Sequence, residues 1–228
     1  MLSASLVRPS LLHRILFVAT LLGVSLATVK DGWTQKLAVA PRPQKRVQLF
    51  DGKSLQGWTG DTRYWSVENG AIVGSTHPDG ITKNTFLVAD HVYEDFELQL
   101  QFKLSNHASG VQIRSQVPDP EKPFTVIGYQ ADIGGGDTGT FYEEQGRGNL
   151  AVADAEKVQQ LLKPDQWNLY SIRAVGNQFI VRLNGEITAS FMETQRPCPE
   201  TGCIALQLQA GPAMKIEFRD LKLTKIQR

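Results

Sequence analysis

The stretch D-F-E-L-Q-L-Q-F-K-L (residues 95–104) alternates without a break. Phe96, Leu98, Leu100, Phe102 and Leu104 fall on one face, and Glu97, Gln99, Gln101 and Lys103 on the other. A repeat of two is the side-chain repeat of a strand covered by core on one side only. The same pattern recurs in 110–115, 167–175, 178–191, 204–209 and 214–223. Asn69-Gly70 and Asn184-Gly185, each between β-rich runs, mark tight hairpins. Only A-D-A-E-K-V-Q-Q-L-L (153–162) has helical character, and it ends before Pro164. No repeat of solenoid or propeller length is present. We therefore expect an all-β fold, a sandwich or jelly roll of two antiparallel sheets with at most one short helix.

The chain has 228 residues, a formal charge of +1 and 41% hydrophobic residues, enough for one domain with a sizeable core. Charges are scattered singly, without the basic stripe that nucleic acid requires, so nucleic acid is not an expected partner. At the N-terminus, Arg8 and His13-Arg14 precede an apolar run from Ile15 to Leu26. About a dozen apolar residues behind a basic flank suit a secretory signal better than a bilayer span, which needs about 20. Ser25-Leu26-Ala27 offers a cleavage site, and Ala38-Val39-Ala40 a second. Residues 1–27 are thus expected as a signal peptide, 28–45 as a linker and 46–228 as the folded domain. Loss of Arg8 and Arg14 with the signal takes the formal charge from +1 to −1. A secreted or periplasmic protein, with no membrane contact after cleavage, is the expectation. In that oxidising setting Cys198 and Cys203, the two cysteines, are expected to form a local disulfide.

The strand faces turned away from the core carry the functional signal. Val111 and Ile113 point inward, leaving Gln112 and Arg114 outward. Tyr129, Ala131 and Ile133 form a core set, leaving Gln130 and Asp132. Ile204, Leu206 and Leu208 leave Gln207 and Gln209. Amides beside an arginine and a carboxylate suit sugar hydroxyls, which both donate and accept hydrogen bonds. I-G-G-G-D-T-G-T (133–140) follows as a flexible segment, and Y-E-E-Q-G-R-G-N (142–149) gathers Tyr142, Glu143, Glu144 and Arg147.

Several chemistries lack their motifs. No strand offers the closely spaced carboxylate pair of a retaining glycosidase, and no G-x-S-x-G elbow is present. The four histidines, His13, His77, His91 and His107, have no metal-ligand spacing. His107 lies in a loop from which it can join a site.

Read in order, L-F-D-G-K-S-L-Q-G-W (49–58), W-S-V-E-N-G-A-I-V-G (65–74), S-G-V-Q-I-R-S (109–115), G-Y-Q-A-D-I (128–133) and I-E-F-R-D-L-K-L (216–223) form a recognisable series. With them the chain resembles the 3-keto-disaccharide hydrolase domain family over about residues 46–226. That resemblance implies a concanavalin A-like sandwich and cleavage of glycosides whose sugar is oxidised at C3. The chain has Y-Q-A-D-I where many members carry Y-E-x-Q-I, and N-H-A-S-G where N-S-G is common.

A C3 ketone acidifies the C2 proton, so one base can form an enolate that expels the anomeric substituent; water then adds to the enone. Such a site needs a base, a donor or cation for the enolate oxygen, and an acid for the leaving oxygen. Asp132 is the first choice of base, with Glu143 or Glu144 next. Arg114 is expected as the positive donor and Tyr142 as the acid. Gln112, Gln130, His107, Glu144, Arg147 and Gln207 are the expected sugar contacts. A divalent metal could replace Arg114, held by carboxylates at 132, 137, 143 and 144. The rival is a lectin-like module binding glycan without cleaving it, with Trp58, Trp65 and Trp167 as platforms.

Overall fold

Asn69-Gly70 and Asn184-Gly185 adopt the positive φ that two-residue hairpin turns require, at 51° and 77° and at 51° and 97°. They join strands in a computed structural model that describes residues 43–122 and 124–227, all in one compact unit. The expected signal segment, and residues 28–42 of the expected linker, lie outside the described residues. The first strand already begins at Pro43.

Fifteen strands follow in the described chain. They are β1 (Pro43–Gln48), β2 (Trp58–Thr59), β3 (Trp65–Glu68), β4 (Ala71–Ser75) and β5 (Thr85–Tyr93). Next come β6 (Phe96–Leu104), β7 (Ser109–Gln116), β8 (Ile127–Ile133), β9 (Phe141–Glu144) and β10 (Gly148–Ala151). The helix α1 (Ala155–Leu161) precedes β11 (Asn168–Val175), β12 (Gln178–Leu183), β13 (Glu186–Met192), β14 (Gly202–Leu208) and β15 (Lys215–Ile226). One sheet runs β13-β12-β11-β6-β15-β4-β3, with β1 also on β15; the other runs β10-β9-β8-β7-β14-β5-β2. Both are antiparallel, as the alternating pattern predicts.

The core lies between the sheets, and the expected inward sets fill it: Phe96, Leu98, Leu100 and Phe102 from one, Val111, Ile113, Tyr129 and Leu206 from the other. Truncating one such side chain to Ala costs about 2–5 kcal/mol in comparable cores. A smaller apolar cluster sits on the other face of the second sheet, where Phe86, Val88, Cys203 and Ala205 meet Val126 of the β7–β8 connection. The amides and acids lie on the same outer face, where Gln112, Gln130 and Gln207 are themselves buried.

Two expectations are corrected here. Arg114 does not reach the outer face. Its φ is 46°, and the β7–β8 register shifts between Ile113 and Gln116, so a bulge breaks the alternation at this residue. The guanidinium turns to the end of the sandwich, with its carbon 5.6 Å from the Phe179 ring centroid. There it meets Asp95 at 2.6 Å, with side chains 1% and 6% exposed. It also donates to the carbonyls of Glu94 at 2.8 Å and Pro199 at 3.3 Å. The cysteines are the second correction, because both are free. The β14 strand turns Cys203 into the small apolar cluster, while Cys198 Sγ lies 3.9 Å from Arg114 Nη1.

Arg114 is therefore a structural residue. Arg114→Ala is expected to lower unfolding free energy by about 3 kcal/mol in urea titrations, since it strips a buried carboxylate of its guanidinium.

Candidate functional site

On the outer face of the second sheet, β7, β8 and β9 bring Gln112, Gln130 and Tyr142 into one lateral row. Asp132 stands two residues further along β8, opposite Gly110. Gly110 must lack a side chain, because a Cβ there would come within 2.5 Å of Gln130 Cδ. In the space it leaves, the Gln130 amide is fully used. Nε2 donates to Asp132 Oδ1 at 2.7 Å and to Gln207 Oε1 at 3.3 Å, and Oε1 accepts from Gln112 Nε2 at 2.8 Å. Behind it, Gln112 Oε1 accepts from the Ser115 hydroxyl. Every polar atom of Gln130 has its partner, so the amide orientation is fixed.

This clamp holds one oxygen of Asp132. The other receives no hydrogen bond from a described residue and is not sealed from solvent, so it opens to a cavity. The backbone is held as well, by the Tyr170 hydroxyl on the Asp132 carbonyl at 2.7 Å. Burial raises the Asp132 carboxyl from 3.8 to about 7; the Gln130 hydrogen bond opposes this, and the charges of Asp137 and Glu144 add to it.

The cavity measures about 270 Å³. Asp132, Asp137 and Glu144 supply its acids, and Tyr142, Asn84, Asn149, Gln207 and Gln209 much of its remaining polar wall. Glu144 is anchored through both oxygens, by Asn84 Nδ2 at 3.1 Å and Gln207 Nε2 at 3.3 Å. Burial raises its carboxyl above the usual range, and raises the Tyr142 phenol too, helped there by the Glu144 and Asp132 charges. None of the described lining residues is Lys, Arg or His.

The expected site thus divides. Asp132, Gln130, Tyr142, Glu144 and Gln207 come together, with Gln112 as a buried support behind Gln130. Glu143 and Arg147 do not join them. The expected loop is a hairpin of β9 and β10, and strand alternation turns Glu143 away from its neighbours Tyr142 and Glu144. Arg147 bonds Glu143 at 2.7 Å and Glu193 at 2.5 Å, and Arg196 closes the same cluster on Glu143. Hydrogen bonding from Arg147 holds Glu193 down to about 2, with help from the Gln195 amide and Tyr129. His107 is also outside: its ring donates from Nε2 to the Ala210 carbonyl at 3.1 Å. It lines a separate depression with Phe102 and Leu162.

Sequence reasoning did not bring Asn84 or Asn149 to the site. Asn84 precedes a strand whose outer residues are apolar, and no pattern marks it. For the divalent metal that the carboxylates left open, no group of three His, Cys, Asp or Glu among the described residues is placed to hold an ion. Asp132, Asp137 and Glu144 share the cavity, but Glu143 faces elsewhere.

Residues 45–224 match the family model described as a 3-keto-alpha-glucoside-1,2-lyase-like domain. The chain belongs to this family. No curated protein matches the chain. Among solved structures it resembles a Parabacteroides distasonis protein proposed to be a glycosyl hydrolase, with TM-score 0.59 and 21% identity over 80% of this chain and 94% of that one. A Bacillus subtilis protein with a galectin-like fold gives TM-score 0.60 and 12% identity, over 83% and 100%. The carbohydrate-binding module CBM66 of Bacillus subtilis gives 0.54 and 17%, over 73% and 94%. At these identities the likeness establishes the fold: a jelly-roll sandwich of two antiparallel sheets, as the strand pattern predicts.

Asp132 carries a stability consequence. A carboxyl raised from 3.8 to about 7 binds its proton more tightly in the folded protein than in the unfolded chain. The Asp132 contribution to stability is then present below about pH 4 and is lost as pH rises through about 7. Asp132→Asn, which keeps the oxygen facing Gln130, is expected to gain about 1–3 kcal/mol at pH 8 and almost nothing at pH 4. Urea unfolding at the two pH values measures this.

Proposed function

We propose that this domain cleaves glycosides whose sugar carries a ketone at C3, by elimination across C1 and C2. One observation carries the proposal: Asp132 has one oxygen clamped, the other open to a cavity, and a carboxyl poised near neutrality. A base with its proton affinity near working pH is suited to a C2–H acidified by the ketone. The family description, a 1,2-lyase acting on a 3-keto glucoside, supports the same reaction.

In this reading Asp132 removes the C2 proton and the electron pair forms the C2–C3 enolate. The enolate collapses to a C1–C2 double bond as the C1–O bond breaks. Glu144 or Tyr142, both with raised proton affinity, delivers a proton to the departing oxygen. Water added across the enone would complete hydrolysis. Tyr142, Asn149 and Gln209 supply neutral donors for the enolate oxygen, in place of the expected Arg114. Carbohydrate is the partner on either reading of the site, and export, expected from residues 1–27, belongs to the proposal.

The lectin alternative is less well supported. Trp58 and Trp65 are buried in the core. Trp167 lies against Arg219, 3.9 Å from its ring centroid, on the other sheet. Among the described residues, Tyr142 alone offers an aromatic ring to the cavity.

Wild-type protein is expected to release 3-keto-glucose, or the enone preceding it, from 3-keto-trehalose; chromatography with and without chelator records both. Asp132→Asn is expected to lose about 10²–10⁴-fold in kcat. Because the base must be ionised, kcat/KM is expected to fall tenfold per pH unit below about 7 and to level off above it. Wild type inactive on every oxidised glycoside, or Asp132→Asn as fast as wild type, would overturn the assignment.

A further inference from the structure

His107 lies outside the cavity at Asp132, yet a chain of three contacts joins it to Glu144. Its ring Nε2 donates to the Ala210 carbonyl at 3.1 Å. The Ala210 N–H donates to Asn84 Oδ1 at 2.8 Å, and Asn84 Nδ2 donates to Glu144 Oε1 at 3.1 Å. An amide whose oxygen is taken by one neighbour can offer only its NH₂ to the next. The main chain at Ala210 therefore decides which end of Asn84 faces Glu144.

That main chain does not hold itself. Ala210 and Gly211 lie in the connection between β14 and β15, and Gly211 has a φ of 140°, which glycine adopts freely. Two ties fix the peptide between them. The Gly211 N–H donates to the Ile81 carbonyl at 2.8 Å, and the Ala210 carbonyl accepts from His107. Gly211 also makes room for the ring, since a Cβ there would come within 2.6 Å of His107 Nε2. His107 has its own support: its φ is 64°, and Gly134 of the cavity wall packs so closely that a Cβ would lie 2.9 Å from the His107 carbonyl oxygen. The ring is a strut between the β6–β7 and β14–β15 connections.

We infer that His107 is a positioning residue for the cavity, which fixes the Ala210 peptide and thereby commits the Asn84 amide to Glu144. Its part in turnover rests on the elimination reading of that cavity; its hold on Glu144 does not. Asp132, Asp137 and Tyr142 face Glu144 within the cavity. Arg114, Tyr129, Glu143 and Arg196 line a second depression that Glu144 also borders. A substitution at His107 leaves all of these in place.

His107→Asn tests the inference, because asparagine tolerates a positive φ while its amide ends short of Ala210. His107→Gln, with an NH₂ at about the reach of Nε2, is the rescue. The Glu144 carboxyl is followed by carboxyl-carbon NMR through a pH titration, and kcat/KM is measured on 3-keto-trehalose. Burial raises the Glu144 carboxyl and the Asn84 hydrogen bond opposes this. In His107→Asn the Glu144 midpoint is therefore expected to move up from its wild-type position. There kcat/KM is expected to fall about three- to tenfold, the worth of one hydrogen bond, and His107→Gln is expected to restore both. Should His107→Asn not fold, His107→Gly, unstrained at this φ, is read in its place. A midpoint that stays at the wild-type value without the ring, or moves as far in His107→Gln, overturns the inference whatever turnover does. A moved midpoint with unchanged turnover overturns the part that concerns the reaction. If wild type cleaves no oxidised glycoside and the midpoints move as expected, the elimination fails and the hold on Glu144 stands.

Discussion

A glutamine amide that must satisfy three partners at once is the constraint on which the rest of the site depends. Gln130 can reach Asp132, Gln207 and Gln112 together only because Gly110, on the next strand, leaves its place empty. Gln207 in turn fixes Glu144. Two carboxylates supplied by β8 and β9 are thus tied through two amides supplied by β8 and β14. An amide oriented by one neighbour dictates what it offers the next, so the Gln130 NH₂ faces Asp132 and the Gln207 NH₂ faces Glu144. Both acids are held as acceptors, with geometry set by the sheet rather than by mobile loops.

The β9–β10 hairpin shows how far alternation separates neighbouring acids. Glu143 and Glu144 are adjacent, yet one is inside an ion-pair cluster with Arg147 and Arg196, and the other lines a cavity without a cation. In the cluster, arginine hydrogen bonds hold Glu193 down to about 2, so it stays ionised. In the cavity, burial raises Asp132 to about 7 and Glu144 in the same direction. The first kind of acid cements the β9–β10 turn to the chain after β13. Of the second kind, Asp132 can exchange protons near neutral pH, which is the separation of roles that acid–base chemistry uses.

The sandwich was legible because burial on one face enforces a period of two, and 95–104, 128–133 and 204–209 keep it. The same period located Gln130, Asp132 and Gln207 on the open face. It failed where the backbone departs from the pleat. A bulge at Arg114 is a local positive φ that its own sequence, I-R-S, does not announce, and that one departure moves a guanidinium from the open face to Asp95. Y-E-E-Q-G-R-G-N read as a loop because its glycines mask two four-residue strands. Had the hairpin been seen, alternation would have split Glu143 from Glu144. The cysteine pair illustrates a different limit: spacing shows that two thiols are near in sequence, but Cys203 follows β14 into an apolar cluster. Asn84 was invisible because its role depends on Glu144, sixty residues away.

The loss of Arg114 from the site changes the electrostatic logic of the proposed reaction. A guanidinium beside Asp132 would stabilise an enolate, but it would also favour the ionised carboxylate and weaken it as a base. A cavity whose described walls carry acids and neutral donors makes the opposite choice. It keeps the carboxylate basic through burial and like charge, and meets the enolate with hydroxyl and amide hydrogen bonds that cost the base nothing. On the proposed elimination the ketone makes this sufficient, because it has already lowered the C–H acidity barrier that a positive charge would otherwise have to overcome. In that proposal the chemistry is divided between substrate and protein: oxidation at C3 supplies the electron sink, and the sheet supplies a held base and a proton for the leaving oxygen.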